Sequence, residues 1–357
     1  MNFPTPEILF ERKGAAGLVT LNRPQALNAV TLGMVRALMQ QLQAWRDDPA
    51  VTRVVVTAAG GRAFSAGGDI RALYDAGTSG RHADMLAFYG EEYVLNTVIK
   101  HYPKPYVSLI DGICMGGGVG VSVHGSHRIA GDRYLFAMPE VGIGFFPDVG
   151  ATWFLPRLPG QIGAYCALTG DRLGAADAVA ATIATHRVAS ARFADLAEAL
   201  CGAAPVDATV AAFAEPAEEP KLAPHRAPID RMFAHDRVED ILADLDADGG
   251  KFTGKTAAAI RTKSPTALKL ALAQMREGAK LPFTGCMRCE FRIVSRIIHG
   301  HDFYEGVRAV IVDKDNAPRW RPASLAEVSA GEVARHFAPL ENGEWQPPEL
   351  NRNADRA

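Results

Sequence analysis

The sequence predicts an α/β core followed by a helical C-terminal region, and three observations carry that reading. Up to about residue 160, short apolar, β-branched runs that end in small residues alternate with stretches of helical spacing. Beyond Gln161 the strand-like runs stop and helical spacing takes over. Hydrophobic residues make up 48% of the 357 and charged ones 22%, enough to bury a sizeable core and unlike a disordered chain.

"EILFERKGAAGLVTLNRP" reads as two strands around a Gly-Ala-Ala-Gly turn, hence a β-hairpin. "AVTLGMVRALMQQLQAWRDDP" follows with helical spacing and stops at a proline. "TRVVVTAAG" and "KPYVSLIDG" suit buried strands, and "HRIAGDRYLFAM" adds two more. Strands alternating with helices imply right-handed crossovers. "QIGAYCALTG", "GAADAVAATIATH", "TALKLALAQMREGAK" and "CMRCEFRIVSRIIHG" read as helices. The expected organisation is a core over 1–203, a surface connection rich in Ala, Pro and Glu over 204–227, and a helical region over 228–357.

A net charge of −2 argues against a general nucleic-acid binder. The N-terminal stretch has no basic segment leading into an apolar run, and no apolar stretch reaches the ~18 residues of a membrane span. The expectation is a soluble, cytoplasmic protein. Five cysteines form no disulfide framework in a chain this long; Cys286 and Cys289 make a C-x-x-C, but zinc wants a second pair, so no metal is expected.

Three further motifs fail on context. "GGKFTGKT" over 249–256 fits a phosphate loop, but an acidic helix-like segment precedes it where a strand is needed. "DLDADG" starts like a calcium loop whose twelfth position is Lys255, a cation in place of a bidentate acid. His124 and His127 in "HGSH" have no acid nearby in sequence.

Chemistry concentrates in three stretches. "AFSAGGDI" (63–70) and "ICMGGGVG" (113–120) each follow a predicted strand, where glycine lets backbone N–H groups approach a ligand. One N–H from each loop can converge on a carbonyl oxygen, as acyl chemistry requires. "LFAMPEVGIGFFPDVG" places Glu140 and Asp148 eight apart in apolar, turn-rich sequence, where a carboxylate needs a partner or a purpose. Asp148 can alternatively cap the helix implied by "VGATWFL".

"FSAGGDI", "MGGGVG", "MPEVGIGFFPDVGATWFLPRL", "ALTG" and "DFYEGVRAVIVDKDNAPRW" together resemble the enoyl-CoA hydratase/isomerase (crotonase) superfamily, over about residues 8–320. Within it the closer resemblance is to the 3-hydroxyisobutyryl-CoA hydrolases. The resemblance implies a crotonase-like spiral of ββα units. It implies oxyanion donors at Gly68 and Gly117, a catalytic pair at Glu140 and Asp148, and substrate contacts at Glu92, Ala66, Asp69 and Gly116. Glu92 and its neighbour Glu91 can equally lie on a solvated helix face. Hydratases of this superfamily carry a second glutamate where this chain has Gly120. The implied activity is hydrolysis of a short-chain 3-hydroxyacyl-CoA, CoA being part of the substrate and no cofactor being needed; an enoyl-CoA hydratase or isomerase working with Glu140 alone is the alternative, and a non-catalytic acyl-CoA binder the third. The resemblance also admits a homo-oligomer. Arg62 and Lys314 are candidate cations for the CoA phosphates.

Overall fold

The computed structural model describes residues 7–216, 218–341 and 343–347. Ile8–Lys13 (β1) and Ala16–Leu21 (β2) form the expected hairpin, with Lys13 opposite Ala16. The turn is therefore only Gly14-Ala15, tight enough to need the left-handed backbone that Gly14 adopts at φ +56°. Arg53–Ala58 (β3) lies parallel to β2 behind the amphipathic helix Leu32–Asp47 (α1), whose N-terminus Thr31 caps.

From β3 onward each strand passes the chain to a second sheet. Ala63–Ser65 (β4) follows β3, Ile113–Met115 (β6) follows Tyr106–Ile110 (β5), and Leu135–Ala137 (β8) follows His127–Ala130 (β7). The first sheet runs β1-β2-β3-β5-β7 and ends on His186–Arg187 (β10). The second runs β4-β6-β8, all parallel, and ends on Leu173–Gly174 (β9). Helices Ile70–Thr78 (α2) and His82–Lys100 (α3) follow β4, and Gly117–Gly120 (α4) follows β6. These are the ββα units of the spiral. Their stacking sets the loops after β4, β6 and β8 side by side.

The continuous apolar runs have a packing reason. Val54 and Val56 face the main core, whereas Val55, Val107 and Leu109 face a second cluster with Leu196 and Val210. A strand covered on both faces cannot alternate polar and apolar residues. Val210 belongs to Val206–Phe213, a helix within the alanine-rich 204–227 stretch. The expected helix in "GAADAVAATIATH" stops at Ala180, because Thr182 turns to φ +60° and the chain enters β10 against β7.

Helices follow one another through the C-terminal region: Val238–Asp248, Lys251–Arg261, Pro265–Gly278, Phe283–Ile297, His301–Val307 and Ala330–Phe337. "GGKFTGKT" lies largely in the second of these, with a helix rather than a strand before it. Cys286 and Cys289 are free, buried neighbours on one helix. The two histidines of "HGSH" diverge: His124 meets the Val149 carbonyl, and His127 meets Asp207, an acid 80 residues away that spacing did not reveal. Among the described residues no group of three metal-ligating side chains assembles, and no helix is long and apolar enough to cross a membrane.

Candidate active site

The two glycine loops meet. Val30 pins the first one, its N–H donating to the Gly67 carbonyl at 2.8 Å and its carbonyl accepting from Asp69 N–H at 2.9 Å. Alternation along this short bridge turns the Gly68 N–H the other way, toward Gly117. A β-carbon added to Gly117 would stand 3.1 Å from the Gly68 nitrogen and 2.7 Å from Glu92 Oε1, so both loops and Glu92 face one gap. Gly117 opens α4, where N–H groups have no helical acceptor. Among the described residues neither the Gly68 nor the Gly117 N–H has an acceptor in the protein. Gly116 reaches this approach through φ +45°.

The gap opens into a cavity of about 340 Å³. Ala66, Gly68, Glu92, Gly117, Glu140 and Asp148 line it, as does Gly116, while Lys263, Val310 and Ile311 close it from the C-terminal region. Asp69 is not among the lining residues. Its carboxylate pairs with Arg23 at 2.8 Å and caps α2 at Ala72, so this expected substrate contact is a structural acid. Glu91 pairs with Arg36 on the outer face of α3, which leaves Glu92 as the inward member of the pair.

Glu140 begins the 3₁₀ turn Glu140–Ile143 directly after β8. It is 7% exposed, its Oε1 lies against Gly116, and its Oε2 has no hydrogen-bond partner among the described residues. Burial first, and then the charge of Asp148, hold its carboxyl well above the usual range. Asp148, 5% exposed, accepts a hydrogen bond from the Tyr93 hydroxyl at 2.9 Å. Burial pushes it up to about 7, and the Tyr93 bond opposes the rise. Glu92 is raised too, by burial and then by Asp148 and Glu290.

The turn carrying Asp148 is strained and held from several sides. Val149 sits at φ +53°, an unfavourable region for a β-branched residue that persists only when neighbours enforce it. The Pro147 carbonyl accepts from Gln274 Nε2 at 2.5 Å. The Val149 carbonyl faces His124 Nε2 at 2.7 Å, and burial lowers that imidazole to about 3, so the ring is neutral and this nitrogen is its N–H. Glu290, wholly buried, accepts from the N–H groups of Gly150 and Thr152 at 2.8 and 2.9 Å. Glu290 rather than Asp148 thus serves the start of the helix Ala151–Phe154, which has no side-chain cap of its own. The Asp148 carboxylate is left facing the cavity.

A β-carbon on Gly120 would fall 2.8 Å from Asn96 Nδ2 and 2.8 Å from Val149 Cβ. The place of the second hydratase glutamate is therefore filled. Tyr93, Glu290 and Gln274 were not legible as site residues, since helical spacing marks them only as core or surface, and Lys263 lies in the short link between two helices. Arg62 and Lys314 do not line the cavity, whereas Lys263 does, its ammonium lowered by burial.

Residues 16–337 match the family model described as enoyl-CoA hydratase/isomerase. The chain belongs to the enoyl-CoA hydratase/isomerase family. Among its relatives, "3-hydroxyisobutyryl-CoA hydrolase, mitochondrial" of Danio rerio is 45% identical, over 94% of this chain and 90% of that protein. The protein of the same name in Homo sapiens is 44% identical, over 94% and 89%. The crystal structure of a carnitinyl-CoA dehydratase from Mycobacterium thermoresistibile superposes with TM-score 0.91 and 43% identity, covering 95% of this chain and 98% of that one. The fold is therefore the crotonase fold expected from the motifs. The word "mitochondrial" in the relatives' names overturns the cytoplasmic expectation. Near-neutral charge and the lack of a long apolar run suit any aqueous compartment, so they could not tell one from another.

Proposed function

We propose that this family member hydrolyses a short-chain 3-hydroxyacyl-CoA thioester, 3-hydroxyisobutyryl-CoA in valine breakdown being its substrate. One observation carries the reading: two amide N–H groups and a carboxylate oxygen of Glu140, all without partners among the described residues, border the same gap. The thioester carbonyl seats its oxygen on the N–H groups of Gly68 and Gly117, which stabilise the oxyanion as the carbon becomes tetrahedral. Ionised Glu140 then either takes a proton from water, whose hydroxide adds to the carbon, or attacks the carbon itself to give an anhydride that water opens. In both routes the carbon–sulfur bond breaks, CoA thiolate leaves and takes a proton, and the free acid departs. Asp148, steadied by Tyr93, orients the water. Ala66 and Gly116 form the walls beside the reacting carbon.

The names of the curated relatives support this reading. A second reading, hydration or dehydration at the α,β-bond with Glu140 as the only family glutamate, draws on the carnitinyl-CoA dehydratase of known structure. The space taken by Asn96 and Val149 weighs against it, because it removes the second acid that divides such proton transfers.

One assay separates the two: thiol release from 3-hydroxyisobutyryl-CoA alongside loss of enoyl absorbance from crotonyl-CoA. Thiol release from the first substrate, reduced about 10²–10⁴-fold in kcat by Glu140→Gln, is the expected result. Enoyl loss without thiol release establishes the second reading in its place.

A further inference from the structure

Two tyrosines lie four residues apart on α3 and face inward. The Tyr93 hydroxyl is used, donating to Asp148. The Tyr89 hydroxyl is buried and has no partner among the described residues, although its residue lines the cavity and is only 2% exposed. A buried hydroxyl without a hydrogen bond is costly, and a native structure keeps one where something outside the chain completes it.

The Tyr89 ring cannot swing away to find water. It stacks on Phe145 at 5.4 Å and 21°, meets Phe88 edge-on at 5.5 Å, and lies 6.1 Å from the Tyr93 ring. Burial, with the charges of Asp148 and Glu92 after it, drives the phenol far above its ordinary range, so it stays protonated and able to donate. One helical turn further, Glu92 Oε1 is also buried, without a partner among the described residues, and on the same cavity. A protonated phenol donates and a carboxyl oxygen accepts. An alcohol satisfies both together, accepting from one and donating to the other. A plain hydrocarbon satisfies neither.

We propose that Tyr89 is a specificity-determining residue: with Glu92 it reads the hydroxyl of the acyl chain and rejects acyl-CoAs that lack one. This rests on the thioesterase reading above, and assigns the acyl hydroxyl to Tyr89 and Glu92, leaving Asp148 for water. Sites built around a buried donor discriminate strongly against the analogue missing the matching group, because the protein's own polar atoms are then left unpaired.

The test compares 3-hydroxyisobutyryl-CoA with isobutyryl-CoA, the same skeleton without the hydroxyl, on the full-length chain and on Tyr89→Phe. The parent is expected to favour the hydroxylated thioester by at least about 100-fold in kcat/KM. Tyr89→Phe loses about 10–100-fold on that substrate and little on isobutyryl-CoA, so the ratio collapses. Because the deleted hydroxyl has no partner in the fold, the variant's melting temperature stays level or rises; a structural hydroxyl would lower it. Dissociation constants for the two thioesters, measured on Glu140→Gln with and without the Tyr89 change, read the same ratio without turnover. An unchanged ratio in the folded Tyr89→Phe variant overturns the assignment. Failure of the parent to release thiol from either substrate overturns the thioesterase reading, and the binding ratio still decides the role of Tyr89.

Discussion

Replacing Asp148 by Asn should make the protein more stable at neutral pH while disabling it, and the size of the gain follows from the site. Asp148 is 5% exposed, and burial carries its carboxyl from 3.8 to about 7. Across that window the folded protein holds a proton that the unfolded chain has released. Stability from this group is therefore fully present below pH 3.8, falls as pH rises, and levels off above about 7. At 1.36 kcal/mol per pKa unit the loss reaches about 4 kcal/mol at pH 7.5 and between one and two at pH 5. Asn carries no charge, keeps the shape, and still accepts from the Tyr93 hydroxyl, so the variant escapes the loss. The stability difference, variant minus parent, should grow by about 2–3 kcal/mol between pH 5 and 7.5. Urea unfolding of both proteins at the two pH values measures it, and thiol release from 3-hydroxyisobutyryl-CoA should fall by about 10²-fold or more. A difference that stays flat or shrinks as pH rises would refute the claim that Asp148 is held in the fold against its own ionisation.

Glu290→Gln keeps the volume but leaves one of the two N–H groups of Gly150 and Thr152 without an acceptor, costing about 1–3 kcal/mol in denaturant unfolding. Its kcat should fall at least about tenfold with KM little changed, since the turn at 148 loosens while the thioester seat is untouched; a fall in stability without a fall in kcat would show that the clamp does not position Asp148. Gly117→Ala sets a methyl group 2.7 Å from Glu92 Oε1 and 3.1 Å from the Gly68 nitrogen, inside the gap meant for the thioester oxygen. It should cost about 10²–10³-fold in kcat, checked by thiol release beside a circular dichroism spectrum that matches the parent.

What the sequence made legible was local. The hairpin, the strands "RVVVTA" and "YVSLI", and both glycine loops announce themselves within a few residues, because turn chemistry and double-sided burial act on neighbours. Glu140 and Asp148 stood out because carboxylates are rare in such apolar surroundings. The residues that hold them did not. Glu290 looks like any polar position of an amphipathic helix, and Gln274 like its counterpart one helix earlier, until topology brings both under the turn at 148. Asp69 misled for the opposite reason: it sits in the motif, but Arg23 and the α2 N-terminus claim it. Lys263 went unnoticed because a cation's position relative to a cavity depends on how the chain packs, which one-dimensional spacing does not encode.

The fastening of the 148 turn also imposes an order on how that turn is assembled. Its strained Val149 is held by His124, which precedes it by 25 residues, and the backbone on either side is held by Gln274 and Glu290, the latter 140 residues beyond Gly150. A chain leaving the ribosome thus carries both acids long before it carries the grip that aims the second one. The 148 turn therefore gains these two fastenings only after the helices that carry Gln274 and Glu290 have been made.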